Sequence, residues 1–341
     1  MFLLVGDVHA KKSNLEETSK LLKWVGDTAS RLSQEKGEDV TILFLGDQFN
    51  DFGIARVEVI DLWSQFVESS ASRMIFLVGN HDYNADCSAT AMSAISSKKA
   101  IVINSPQELD PLFWLDGGVK TVALPFMKNN EEFVDAVNLL TSKSDIPMVV
   151  FCHQEFNGAQ FENGFYAPHG VDHSLIKNKN IQIISGHIHK QQSFANIWYP
   201  GTPRHLTRSD AGEVKGIWLL GPTLDQKSFI PTPNEVAKPF ISLEVRESSP
   251  VPEFPTDCRL YVDVYGSADF TKKILPKIPD HANIRTFIQG SEPIKNVRES
   301  EGIPKAFDSW VKMYTKDKNI PQEVAQKATE KVLSICPILK G

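Results

Sequence analysis

Six short apolar runs punctuate the first 184 residues of this chain: Phe2–Val5, Val40–Leu45, Met74–Val78, Val119–Leu124, Met148–Cys152 and Ile181–Ile184. Each is rich in β-branched or aromatic residues and bounded by glycine or polar residues. Short runs without polar alternation are the pattern of strands buried on both faces. The first connection reads as a helix. Ser13-Asn14-Leu15-Glu16 fits a capping box, and Leu15, Thr18, Leu22 and Val25 then recur at helical spacing. Strands alternating with helices predict an α/β domain with buried sheets.

At 341 residues the chain exceeds one ordinary core. After about Leu220 the composition shifts. Pro222, Pro231, Pro233, Pro239, Pro250, Pro252 and Pro255 mark a connecting region with short strands. Arg259–Tyr265, Ala268–Leu275 and Asn283–Ile288 then form a small βαβ-like unit. In the tail, Phe307, Trp310, Val311 and Tyr314 share one helix face, and Pro321 starts a second helix with Val324, Ala328 and Val332 along one side. The expected organisation is a catalytic domain over 1–222, a linker and capping domain over 223–300, and a helical tail over 301–341.

The ends of the apolar runs carry the chemistry. They lead into Gly6-Asp7-Val8-His9, Gly46-Asp47, Gly79-Asn80-His81-Asp82, His153 and Gly186-His187-Ile188-His189. In open α/β sheets ligands sit outside the carboxyl ends of the strands, so these groups are expected on one rim. Carboxylates, imidazoles and one amide oxygen, with no thiolate, suit Mn²⁺, Fe²⁺ or Zn²⁺. In an extended backbone residues two apart point the same way. Asp7 with His9, and His187 with His189, are therefore expected to face the site while Val8 and Ile188 face the core. Asp47 can bridge two ions, and two ions about 3.5–4 Å apart clamp a phosphoryl group during in-line attack. A lone histidine such as His153 is ordinarily a core residue; five ordered motifs are a different matter.

In this order the motifs resemble the calcineurin-like metallophosphoesterase family. The resemblance implies a two-sheet α/β sandwich, here with a small α+β capping domain and C-terminal helices. It implies one metal site from Asp7, His9, Asp47 and His189, and another from Asp47, Asn80, His153 and His187. His81 would be the catalytic histidine, orienting the phosphate or protonating the leaving oxygen, work suited to an imidazole. Asp82 closes the motif. Members often carry an acidic or histidine residue three positions after the bridging Asp, in support of the catalytic histidine. Here that position is Asn50, with Asp51 adjacent, so the support of His81 stays open.

The stretches His153-Gln154-Glu155-Phe156-Asn157-Gly158 and Asn196-Ile197-Trp198-Tyr199-Pro200-Gly201-Thr202-Pro203 sharpen the resemblance. They are similar to SbcD-type exonuclease subunits, and closest to the recombination endonuclease subunits of large tailed phages. That implies a Mn²⁺-dependent nuclease acting on DNA double-strand ends, a homodimer, and an SbcC-type coiled-coil ATPase docked on the tail helices. A small-substrate phosphodiesterase or phosphatase of the same superfamily is the alternative. A non-catalytic scaffold fits poorly, because every ligand position is filled. Arg204, with Lys11, Lys12, His205 and Arg208, is a candidate for holding substrate phosphates, although solvated surface charge is the commoner role.

Lys+Arg 36 against Asp+Glu 42 gives a net charge of −6, so bulk charge does not hold nucleic acid; a local patch or a metal centre must. The cysteines, Cys87, Cys152, Cys258 and Cys336, are scattered and read as reduced residues of a cytoplasmic protein, in the host cytoplasm if phage-encoded. No stretch is long and apolar enough to span a membrane, and the first apolar run is too short for a signal peptide.

Overall fold

The computed structural model describes residues 1–110, 113, 119–142 and 147–288. All six apolar runs are strands: β1 (Phe2–Val5), β2 (Thr41–Phe44), β3 (Met74–Leu77), β6 (Lys120–Ala123), β7 (Met148–His153) and β8 (Ile181–Gly186). They divide between two six-stranded mixed sheets. The first runs β12-β11-β1-β2-β3-β4, with β4 at Ala100–Ile103, β11 at Gly216–Leu220 and β12 at Lys227–Pro231. The second runs β5-β6-β7-β8-β10-β9, with β5 at Gln107–Glu108, β9 at Gln192–Phe194 and β10 at Ile197–Tyr199. Strands β1 to β4 are parallel, whereas β11 lies antiparallel to β1 and β12 antiparallel to β11. The first sheet therefore continues past residue 222 to Pro231.

The period-two alternation of a strand explains why each run is apolar throughout. Leu3, Val5, Ile42, Phe44, Met74 and Phe76 pack on one face against helices α1 (Leu15–Lys36) and α2 (Val57–Ser69). Phe2, Leu4, Leu43, Leu45, Ile75 and Leu77 point the other way, against Ala123, Val149, Phe151, Ile184 and Trp198 of the second sheet. The far face of that sheet, with Val122, Met148, Val150 and Ile183, packs on Phe133, Val134 and Val137 of α3 (Asn130–Thr141). The result is an α/β sandwich of helix, sheet, sheet and helix layers.

Helix α1 buries Thr18, Leu21, Leu22, Val25, Thr28, Ala29 and Leu32, a single stripe. It ends at Gly37, whose φ of 70° places its N–H on Ser33 O. The capping box expected at Ser13 and Glu16 is not formed. A 3₁₀ turn over Lys12–Asn14 draws Ser13 inside it and makes Asn14 the first flanking residue. The Asn14 side chain turns back instead, accepting from Lys11 N at 2.8 Å and donating to His9 O at 3.0 Å.

The chain divides into two compact units. One comprises residues 1–244, 252–263 and 278–285; the other comprises 245–251, 264–277 and the chain from 286 on. A third sheet has the order β13-β14-β15 (Phe240–Arg246, Arg259–Gly266, Asn283–Ile288), and α4 (Ala268–Ile274) follows β14. The two helices expected around Phe307–Tyr314 and Val324–Leu333, with Cys336, lie outside the described residues. Cys87, Cys152 and Cys258 are free thiols. Among the described residues no helix is long and apolar enough to cross a membrane.

Phe44 is fully buried, stacked on Phe76 at 4.7 Å and edge-on to Trp63 at 5.2 Å. Phe44→Ala is expected to cost about 3–5 kcal/mol in chemical denaturation, read as a lower midpoint at unchanged slope.

Candidate metal centre

The side chains that follow β1, β2 and β3 of the first sheet meet those that end β7 and β8 of the second. The backbone reaches this point through turns rather than extended chain. His9, Asp47 and His187 have φ of 47°, 53° and 79°, in the left-handed region that non-glycine residues rarely enter. The expectation that Asp7 and His9 alternate along a strand is thus corrected: β1 stops at Val5, and a turn aims both at the site. Val8 and Ile188 are buried as expected, at 0% and 2% exposure. Backbone pairing continues through these turns, with His9 N donating to Asp47 O at 2.9 Å and Ala10 N to Gln48 O at 2.9 Å. The preceding glycines allow the close approach. A Cβ at Gly46 would collide with the His153 ring, and one at Gly79 with the Asp47 carboxylate.

Two groups of donors result. In one, His9 Nε2 and His189 Nε2 lie 3.2 Å apart, and His189 Nε2 lies 3.5 Å from Asp7 Oδ2. Asp47 Oδ2 stands 3.5 Å from the same His9 nitrogen. In the other, Asn80 Oδ1 lies 3.0 Å from His153 Nε2 and 2.9 Å from His187 Nδ1, and Asp47 Oδ1 is 3.4 Å from His153 Nε2. Asp47 thus presents one oxygen to each group. Backbone amides orient both carboxylates: His81 N donates to Asp47 Oδ1 at 2.9 Å, and His187 N to Asp7 Oδ2 at 3.1 Å.

This donor set fits a divalent cation. His153 Nδ1 bonds Leu45 O at 2.7 Å, and a carbonyl only accepts, so the proton sits on Nδ1. Its Nε2 points at two oxygens, Asn80 Oδ1 and Asp47 Oδ1. Converging lone pairs require positive charge between them. A proton on the His153 ring supplies such charge, and so does a cation that displaces it. Burial pushes His9 down to about 3, so its ring is neutral. Burial also pushes His153 down, but the Asp47 and Asp7 carboxylates outweigh it and raise it to about 9. Burial opposes ionisation of Asp47, yet His153, His9 and His81 hold its carboxyl far below the ordinary range. A ligating imidazole must be neutral, so cation binding competes with the His153 proton.

Residues 1–191 match the calcineurin-like phosphoesterase family. The chain belongs to that family. Members use divalent metal ions, in keeping with the clusters Asp7–His9–His189 and Asp47–His153–His187, whose ligand atoms lie within 4.8 Å of one another. Exonuclease subunit 1 of Enterobacteria phage T4 is 28% identical over 175 residues, 49% of this chain and 48% of that protein. The chain therefore matches about half the length of that relative.

His81 stands beside the first group, its ring 4.8 Å from that of His9. Its support comes from a backbone atom: His81 Nδ1 bonds Asn50 O at 2.7 Å. That bond leaves Nε2 unengaged by it. The Asn50 side chain donates to Asp51 Oδ1 at 3.1 Å. Asp82 is buried and accepts from Phe49 N at 2.9 Å and Gly79 N at 2.8 Å, bracing both loops. Burial and the Asp47 charge raise its carboxyl well above the ordinary range.

Arg204 is not available to substrate phosphates, contrary to expectation. It is 2% exposed, and its guanidinium bonds Glu17 Oε1 at 3.2 Å, Val8 O at 2.7 Å and His9 O at 3.3 Å. Arg208 bonds both oxygens of Asp263, at 3.0 and 2.8 Å, and His205 bonds Glu213 O at 2.7 Å. Lys12 pairs with Glu58 at 3.4 Å on the surface. Several neighbours of the centre were not anticipated. Glu155 stands 3.9 Å from His187 Nε2, Glu162 stands 3.7 Å from His189 Nδ1, and Phe126 stacks on His187 at 6.2 Å. Glu155 follows His153 by two residues, a spacing that marks it in retrospect; Glu162 and Phe126 carry no local signal.

Gly46 and Gly37 provide a matched comparison, with φ of 111° and 70°. Nothing lies within 4 Å of a Cβ at Gly37. Gly37→Ala should cost about 1–2 kcal/mol of backbone strain alone. Gly46→Ala adds roughly 1–3 kcal/mol of overpacking against His153. Denaturation midpoints of the two variants check the difference.

Proposed function

We propose that this chain is the nuclease subunit of an SbcCD-like recombination and repair complex, a Mn²⁺-dependent phosphodiesterase that cuts DNA at double-strand ends. The likeness to a phage exonuclease subunit carries the choice of DNA over other phosphoesters. The donor set supports the chemistry.

One ion would be held by Asp7, His9, Asp47 and His189, the other by Asp47, Asn80, His153 and His187. When bound, the pair supplies Lewis-acid polarisation of the phosphoryl oxygens and a nucleophile at neutral pH. The chain does the rest. Asp47 fixes the spacing of the two halves through its two oxygens. The Asn50 carbonyl holds the proton of His81 on Nδ1 and so fixes the ring's tautomer and direction. His81 Nε2 is then the atom that orients the phosphate or, when protonated, delivers a proton to the leaving oxygen. The choice of Mn²⁺ among the metals this oxygen and imidazole donor set accommodates follows the resemblance to SbcD-type nucleases. A homodimer bound to a coiled-coil ATPase supplies the grip on DNA that a net charge of −6 does not.

Purified chain with Mn²⁺ and the ATPase partner is expected to degrade end-labelled duplex DNA, and chelation of the metal to stop it. His81→Ala should lower kcat by about 10²–10⁴ while the protein still binds two ions. Wild-type protein inert on every DNA substrate under these conditions overturns the proposal. So does rapid turnover of a cyclic nucleotide or phosphopeptide without DNA cleavage.

A further inference from the structure

Two buried cations stand behind one half of the centre. Arg204 and Lys215 are 2% and 8% exposed. Arg204 Nη2 donates to Val8 O at 2.7 Å and to His9 O at 3.3 Å. Lys215 Nζ donates to His189 O at 3.0 Å. His9 and His189 are the two imidazoles whose Nε2 atoms meet at 3.2 Å. The other half is held differently, by the ring of His153 on Leu45 O and by Asn80 between two imidazoles.

We propose that Arg204 and Lys215 are positioning residues that set the affinity of the Asp7–His9–His189 ion site, each by fixing the backbone carbonyl of one ligating histidine, and that they leave the Asp47–Asn80–His153–His187 site unaffected. The proposal rests on reading Asp7, His9 and His189 as ligands of one ion.

The physical reason lies in the backbone. His9 sits at φ 47°, a conformation an L-residue leaves unless its surroundings hold it. Released, its carbonyl turns toward a new partner, and the imidazole leaves the line of His189 and Asp7. One terminal nitrogen of the guanidinium, Nη2, reaches the adjacent carbonyls of Val8 and His9 while Nη1 bonds Glu17, so the planar group is held from two sides. Without Arg204, Val8 O gives up a 2.7 Å bond and His9 O keeps only the Asn14 amide of its two side-chain donors, so the loss is costly.

A second effect has the opposite sign. A buried cation near a divalent ion repels it, so removing the cation should tighten binding. Here each cation has its countercharge. Glu17 lies 3.2 Å from Arg204 and is shared with Arg259 at 2.7 Å, and Asp210 and Glu213 each lie 2.7 Å from Lys215, so three cations face three carboxylates. With the charges locally balanced, the geometric effect dominates. The sign of the change in ion affinity therefore separates positioning from simple electrostatics.

Mn²⁺ titration of the full chain by calorimetry provides the test. Wild type is expected to bind two ions. In Arg204→Met and in Lys215→Met one ion should keep its wild-type affinity while the other weakens about 10–100-fold. Arg204→Lys, with one donor group but no fork, should fall between. Asn14→Ala removes the other donor to His9 O, at 3.0 Å, without touching a buried charge; it should weaken the same ion several-fold even where Arg204→Met does not fold. Arg208→Met, which removes the guanidinium bound to Asp263, should keep both ions and controls for general destabilisation. Equal weakening of both ions, unchanged affinities or tighter binding overturns the proposal. Wild type that binds no ion defeats instead the assignment of ligands on which the proposal rests.

Discussion

The Asp47 carboxylate is the point on which the rest of the structure depends. Its two oxygens face two separate groups of imidazole and oxygen acceptors. Such a concentration of lone pairs is unfavourable in a buried site unless positive charge sits among them. The fold accepts that cost by building the site where two sheets meet, each already secured by its own helices and by a shared apolar layer. Left-handed conformations at His9, Asp47 and His187 persist only because this packing over-determines them. The same packing makes glycine necessary at position 46, where the His153 ring lies against the chain.

Support for the ligands comes largely from main-chain atoms. The carbonyls of Leu45 and Asn50 fix the tautomers of His153 and His81. The amides of His81 and His187 orient Asp47 and Asp7. Asp82 joins the two loops that carry Asp47 and His81 by accepting an amide from each side. The buried cations Arg204 and Lys215 extend this pattern from the opposite direction, as donors to carbonyls. Positive charge close to a cation centre is tolerable because Glu17, shared with Arg259, and Asp210 and Glu213 offset it.

Much of the sandwich is legible in the sequence. Strands buried on both faces leave continuous apolar runs, and all six such runs are strands. Ala100–Ile103 was missed because it is a short edge strand with one exposed residue, Ile101. The residues of the centre were legible because each strand ended in a donor, but their local geometry was not. A dyad such as Asp7-x-His9 carries the same letters whether the chain is extended or turned. The burial of Arg204 is hidden for a similar reason: its partners, Glu17 and Val8, are 187 and 196 residues away in the sequence. The support of His81 was invisible because a carbonyl has no side-chain signature, so Asn50 looked like a gap rather than the acceptor it is.

A crystal soaked in Mn²⁺ and measured for anomalous scattering tests the central claim, a centre of two ions joined by one carboxylate. The account predicts two anomalous peaks about 3.5–4 Å apart with the Asp47 carboxylate between them, one peak against His9 and His189 and the other against His153, His187 and Asn80. A single peak at saturating Mn²⁺, or two peaks that do not share Asp47, would contradict it.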